Sequence, residues 1–158
     1  MKTIGTALIL LFSLHQYAYA DKAIDFDLPT DKGNIKLSSL RGNVVYVDYW
    51  ASWCPPCRKS FPWMNQMHSK YEAQGLKIIG ISLDSTRKSA DKFLKKMPAL
   101  FSIAYDHDGN TADDYEVQVM PTSYLIDREG NLIYTHKGFN NKDKQKLEEE
   151  FKKALAIN

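Results

Sequence analysis

Apolar residues run along this chain in two rhythms. Residues 44–50, Val44-Val45-Tyr46-Val47-Asp48-Tyr49-Trp50, form a nearly unbroken β-branched and aromatic stretch. Without polar alternation, such a run predicts a strand buried on both faces. The rhythm then changes. Phe61, Met64, His68 and Tyr71 recur at helical spacing in a segment that begins at the cysteines and stops at Gly75. Residues 76–83 predict a second buried strand, and Asp84 or Ser85 is placed to cap a helix carrying Ala90, Phe93, Leu94 and Met97 that ends near Pro98. Residues 101–105 read as a third strand, followed by an Asp106-His107-Asp108-Gly109 turn and a short helix. Residues 122–126 and 132–136 flank the turn at 127–131 as a hairpin. The last helix buries Leu147, Phe151 and Leu155, with Glu148/Lys152 and Glu149/Lys153 paired on its wet face. Upstream, the polar residues 24–40, turning at Asp31-Lys32-Gly33-Asn34, predict a small N-terminal hairpin. Strands alternating with helices indicate an α/β fold, a mixed sheet with helices on both faces.

The chain has 158 residues, 44% apolar and 25% charged, with no repeat or long linker, so residues 21–158 are expected to form one domain. Residues 1–20 stand apart. Lys2 supplies a positive start, residues 4–14 are mostly apolar, and Ala18-Tyr19-Ala20 fits a small-x-small cleavage site. This predicts a signal peptide and an exported, periplasmic or similar location. A membrane association is expected only if the segment stays uncleaved, and no cysteine near the cleavage point permits lipid attachment there. Removal of the segment leaves 20 basic against 19 acidic residues. So even a balance argues against nucleic acid as a partner.

The chain's two cysteines both lie in Trp53-Cys54-Pro55-Pro56-Cys57, where the strand pattern gives way to the helix pattern. A disulfide closing so short a loop is a poor staple, worth roughly 2 kcal/mol against about 3 for a fifteen-residue loop. Reversible redox chemistry is the stronger reading. A structural zinc site would need two further ligands at matching spacing, but His15, His68, His107 and His136 are scattered. Haem attachment would need histidine after the second cysteine, where Arg58 stands. No resident metal or cofactor is expected. At a helix start, free N–H groups and the helix dipole favour a Cys54 thiolate. A thiol with a pKa near 8.5 is only about 3% ionised at neutral pH, and one tuned to about 7 is half ionised. Cys54 is therefore the candidate nucleophile and Cys57, one turn in, the resolving thiol.

Several motifs agree in order with one family. Residues 49–57, Pro62 inside the first helix, Met120-Pro121-Thr122 and the turn at 127–131 together resemble the exported TlpA/ResA-like thiol-disulfide oxidoreductases of the thioredoxin superfamily. The resemblance spans about residues 24–155. It implies a thioredoxin-like fold with an N-terminal hairpin, and the 67 positions from Cys54 to Pro121 leave room for a strand-helix insertion. It also implies a cis Pro121 that frees the Met120 backbone for a substrate strand, and a redox-active Cys54–Cys57 disulfide. Asp48 falls where a thioredoxin carboxyl helps move the second cysteine's proton, with Gly80 in place of the accompanying lysine. A strand-end aspartate reaching water is the plainer alternative, and Asp84 falls near an acid that has a role in ResA-like proteins, though a helix cap explains it equally well.

Trp53, Pro55, Pro56, Met120, Pro121 and Thr122 are the expected substrate surface, with protein disulfides or dithiols as clients and a membrane or periplasmic thiol donor as the electron source. The family analogy favours protein-disulfide reduction, in cytochrome c maturation or metal-site assembly. A disulfide-introducing oxidase remains open, as does a module that delivers Cu(I) from the reduced thiols. A peroxidase is disfavoured because no cysteine lies outside the pair. Met64-x-x-Met67-His68 suits copper chemically, but its helical spacing assigns Met64 and His68 to the core.

Overall fold

The computed structural model describes residues 21–156; the expected signal peptide lies outside the described residues. Seven strands form one mixed sheet: β1 (Asp27–Thr30), β2 (Gly33–Lys36), β3 (Val44–Trp50), β4 (Leu76–Ser82), β5 (Ser102–Tyr105), β6 (Thr122–Ile126) and β7 (Leu132–Lys137), in the order β2-β1-β5-β4-β3-β6-β7. β3, β4 and β5 run parallel at the centre, flanked by the antiparallel β1–β2 hairpin and the β6–β7 hairpin. Every residue of β3 is buried, Asp48 included, as its nearly continuous apolar run requires for a central strand covered on both sides.

Four helices follow: α1 (Pro55–Tyr71), α2 (Arg87–Lys96), α3 (Asn110–Asp114) and α4 (Asp143–Ala156). α1, α2 and α4 cover one face, where Phe61, Met64, Phe93 and Phe151 pack with Val44, Tyr46 and Trp50 of β3. The other face is closed by α3 and the N-terminal segment, through Ala112, Phe26 and Leu37 against Val45, Val47 and Tyr49. β5 and α3 lie between α2 and β6, where the sequence leaves room for the added strand and helix. This is the thioredoxin-like architecture that the spaced motifs imply.

Local details depart from the sequence-based expectations at three points. Thr86, not Asp84 or Ser85, caps α2, its hydroxyl accepting from the Ser89 N–H. Leu155 is only partly buried, and Ala154 takes the core position beside Leu147 and Phe151. Lys153 pairs with Glu150 at 2.8 Å rather than with Glu149, because residues three apart also share a helix face. Glu148 does meet Lys152, at 3.7 Å, but its nearer partner is Lys70 of α1 at 2.6 Å.

Candidate active site

β3 ends at Trp50, and a three-residue turn, Ala51-Ser52-Trp53, carries the chain into α1. Cys54 is the N-cap of α1 in an extended conformation, with Pro55 and Pro56 in the first turn, where missing N–H groups go unmissed. The Cys54 and Cys57 sulfurs are joined in a disulfide, the Cα atoms 5.4 Å apart. The Cys57 N–H also donates to the Cys54 sulfur at 3.3 Å, so a backbone donor of the helix start is aimed at the first cysteine. Cys57 is fully buried and Cys54 is 3% exposed. The pair is thus shielded nearly as well as the core, and Trp53 beside it is the exposed group, at 64%.

The register of the sheet brings the second wall to the same place. Tyr49 pairs with Thr122, which sets the Met120–Pro121 loop at the end of the sheet where β3 delivers the cysteines. The Met120–Pro121 bond is cis. Met120 packs against the cluster that contains both cysteines, and Val119 next to it is exposed. Thr122 is buried, its hydroxyl donating to the Val119 carbonyl at 2.7 Å, which ties down the loop. Pro55 is exposed and Pro56 half-buried. Trp53, Pro55, Met120 and Val119 therefore offer apolar surface around a nearly buried disulfide, whereas Trp50 is core, its ring 4.8 Å from Phe61 and 4.9 Å from Phe93.

Asp48 is buried in β3, the strand that leads to the cysteines. Strand alternation puts it on the side of β3 shared by Val44, Tyr46 and Trp50, the side that α1 covers. It does not reach water: it is 1% exposed. Its Oδ1 accepts from the Ser123 hydroxyl at 2.8 Å, Ser123 being its direct partner across β6. Across β4 stands Gly80, where a Cβ would lie 3.0 Å from the Phe101 ring and 3.2 Å from Trp50 Nε1. The packing that demands glycine there leaves Asp48 without a cation opposite. Burial pushes its carboxyl up to about 7, against the Ser123 hydrogen bond, which favours the charged form. A carboxyl titrating near neutrality is suited to accepting and returning a proton.

Sequence reasoning did not find Ser123, although it lies one residue past the Met-Pro-Thr motif. Nor did it find the contact of Asp84 with Ser52, which no local pattern announces because 32 positions separate them. Met64 and Met67 are buried in the core, and His68 Nε2 lies 3.3 Å from a Glu72 carboxylate oxygen. A cleft of about 550 Å³ lined by residues including His68, Leu94 and Leu100 includes neither cysteine.

A thioredoxin-like sheet presenting a Cys-x-x-Cys disulfide at a helix start defines a thiol-disulfide oxidoreductase. Residues 19–135 match the AhpC/TSA family, and the protein belongs to that family. The chain is 37% identical over 119 residues to the thiol-disulfide oxidoreductase ResA of Bacillus thuringiensis subsp. konkukian, covering 75% of this chain and 68% of that protein. Among solved structures it resembles a Chlorobium tepidum chain described as a thiol:disulfide interchange protein DsbE, with 50% identity, a TM-score of 0.85, and coverage of 87% of this chain and 97% of that one. It also resembles StoA from Bacillus subtilis, at 25% identity and a TM-score of 0.68, over 80% of this chain and 95% of that one.

Proposed function

We propose that the protein is an exported reductant of protein disulfides. In its dithiol form, the Cys54 thiolate attacks a client disulfide, forming a mixed disulfide and expelling one client thiolate. Cys57 then gives its proton to Asp48, and its thiolate attacks Cys54, forming the Cys54–Cys57 disulfide and releasing the second client sulfur as a thiolate. The client leaves with both thiols. Two electrons have moved, and a membrane or periplasmic thiol donor returns them to the protein. Trp53, Pro55, Pro56 and Met120 contact the client chain, with exposed apolar surface from Trp53 giving it purchase, while Pro121 and Thr122, expected on the substrate surface, are buried and hold the loop from beneath. Export rests on the leader-like pattern of residues 1–20; no helix among the described residues is long and apolar enough to cross a membrane.

The observation that carries the thiol-exchange reading is the Cys57 N–H aimed at the Cys54 sulfur at the start of α1, and the reducing direction rests on the family analogy. That donor favours negative charge on Cys54, which supports Cys54 as the attacking thiol and Cys57 as the resolving one. A Cys57→Ser variant tests this. It is expected to accumulate a mixed disulfide with its client through Cys54, separable on a non-reducing gel and identifiable by mass spectrometry. Trapped cytochrome c apoproteins would point to cytochrome maturation, and trapped copper-site proteins to metal-site assembly. A reactive Cys54 that traps nothing would count against the reading.

A further inference from the structure

We propose that Asp84 is a positioning residue for Cys54, acting through Ser52 to hold the turn that delivers the first cysteine to the start of α1. Asp84 lies two residues past β4, is 2% exposed, and takes no part in capping α2. Both its oxygens are instead engaged near the cysteine turn. Oδ1 accepts from the Ser52 hydroxyl at 2.7 Å, and Oδ2 accepts from the Ser52 N–H at 3.0 Å and the Ser82 hydroxyl at 3.1 Å. The carbonyl of Ser52 is held as well, accepting from the Arg58 guanidinium at 3.0 Å. Every polar group of Ser52 is thus fixed, from the β4–α2 junction on one side and from the first turn of α1 on the other. On the far side of the junction, His107 Nδ1 lies 2.6 Å from the Asp84 carbonyl and must carry its proton there.

One residue separates Ser52 from Cys54. The N–H of Cys57 can stabilise a Cys54 thiolate only while the backbone of Cys54 stays in its capping position, so the clamp acts on thiolate chemistry through geometry. The charge of Asp84 acts in the opposite direction, because a nearby negative group disfavours a thiolate. The two effects have opposite signs, and variants separate them. Ser52→Ala removes a clamp hydrogen bond and leaves the carboxylate in place; Asp84→Asn removes the charge and one acceptor together.

This inference rests on Cys54 being the attacking thiol, but its test needs no client. The reduced full-length protein is titrated by the pH dependence of iodoacetamide alkylation at Cys54, resolved by peptide mass spectrometry, for the parent, Ser52→Ala and Asp84→Asn. Ser52→Ala, at a half-buried turn position, is expected to fold and to raise the Cys54 midpoint by about half to one pH unit, slowing alkylation at pH 7 roughly two- to fivefold as the thiolate fraction falls. That rise is the deciding result. An unchanged or lowered midpoint in folded Ser52→Ala overturns the proposal, whatever its melting temperature. A lowered midpoint in Asp84→Asn alongside it would show that Asp84 acts through its charge alone.

Discussion

The hydroxyl of Ser123 donates to Oδ1 of Asp48 at 2.8 Å, while Oδ2 of the same carboxyl, equally buried, has no hydrogen-bond partner among the described residues. The carboxyl is therefore half satisfied, with a single donor to hold its ionised form. If Asp48 takes the proton of Cys57, Ser123 sets the pH at which it can do so. Ser123→Ala removes the donor, leaving burial to push the carboxyl above about 7. A hydrogen bond to a charged group is worth about 1.5–3 kcal/mol, so the midpoint should move up by about one pH unit or more. Stopped-flow measurement of mixed-disulfide resolution against pH reads this shift. An unmoved midpoint would separate Asp48 from the proton transfer.

Asp48 also makes a prediction for stability, with a definite sign. Its pKa is 3.8 in the unfolded reference and about 7 when folded. Between these values the unfolded chain sheds a proton that the native state retains, so the native state loses stability as pH rises from about 4 to about 7. The loss is on the order of 4 kcal/mol, fully present above pH 7 and absent below pH 4. Asp48→Asn carries no such penalty. Denaturant unfolding should show the variant gaining on the parent by roughly 2–4 kcal/mol between pH 4 and pH 8. A constant difference across that range would mean that the Asp48 carboxyl is not desolvated as its burial indicates.

The two sulfurs should differ in reactivity far more than in exposure. Cys54 is 3% exposed and Cys57 fully buried, yet only Cys54 caps the helix. In the reduced protein near pH 7, Cys54 should be alkylated roughly tenfold faster or more, as thiolate fraction and access both favour it. Timed alkylation followed by peptide mapping checks the order. Faster labelling of Cys57 would reverse the assigned roles.

The parts of the molecule legible in the sequence are those set by local pattern. The apolar run of β3 announced a central strand, and Gly75, at a φ of 96°, announced the end of the helical segment. Cys54, Cys57 and the Met120–Pro121 loop were readable because each belongs to a short motif. The α2 cap was misplaced because Asp84, Ser85 and Thr86 are all competent caps, and what removes Asp84 from the choice is Ser52, 32 positions away. The surroundings of Asp48 were hidden for the same reason. Its donor Ser123 lies 75 positions on and meets it only through the β3–β6 register.

Whether the Cys54–Cys57 couple gives electrons to protein disulfides is read from its reduction midpoint. Equilibration with a graded glutathione or dithiothreitol buffer, with the dithiol fraction read by alkylation and mass, yields the value at pH 7. A reductant of protein disulfides should show a midpoint nearer the roughly −270 mV of thioredoxin than the roughly −120 mV of a strong disulfide donor. A midpoint near −120 mV would contradict that role, because the dithiol would then be too stable to reduce a client, and the protein would be an oxidase.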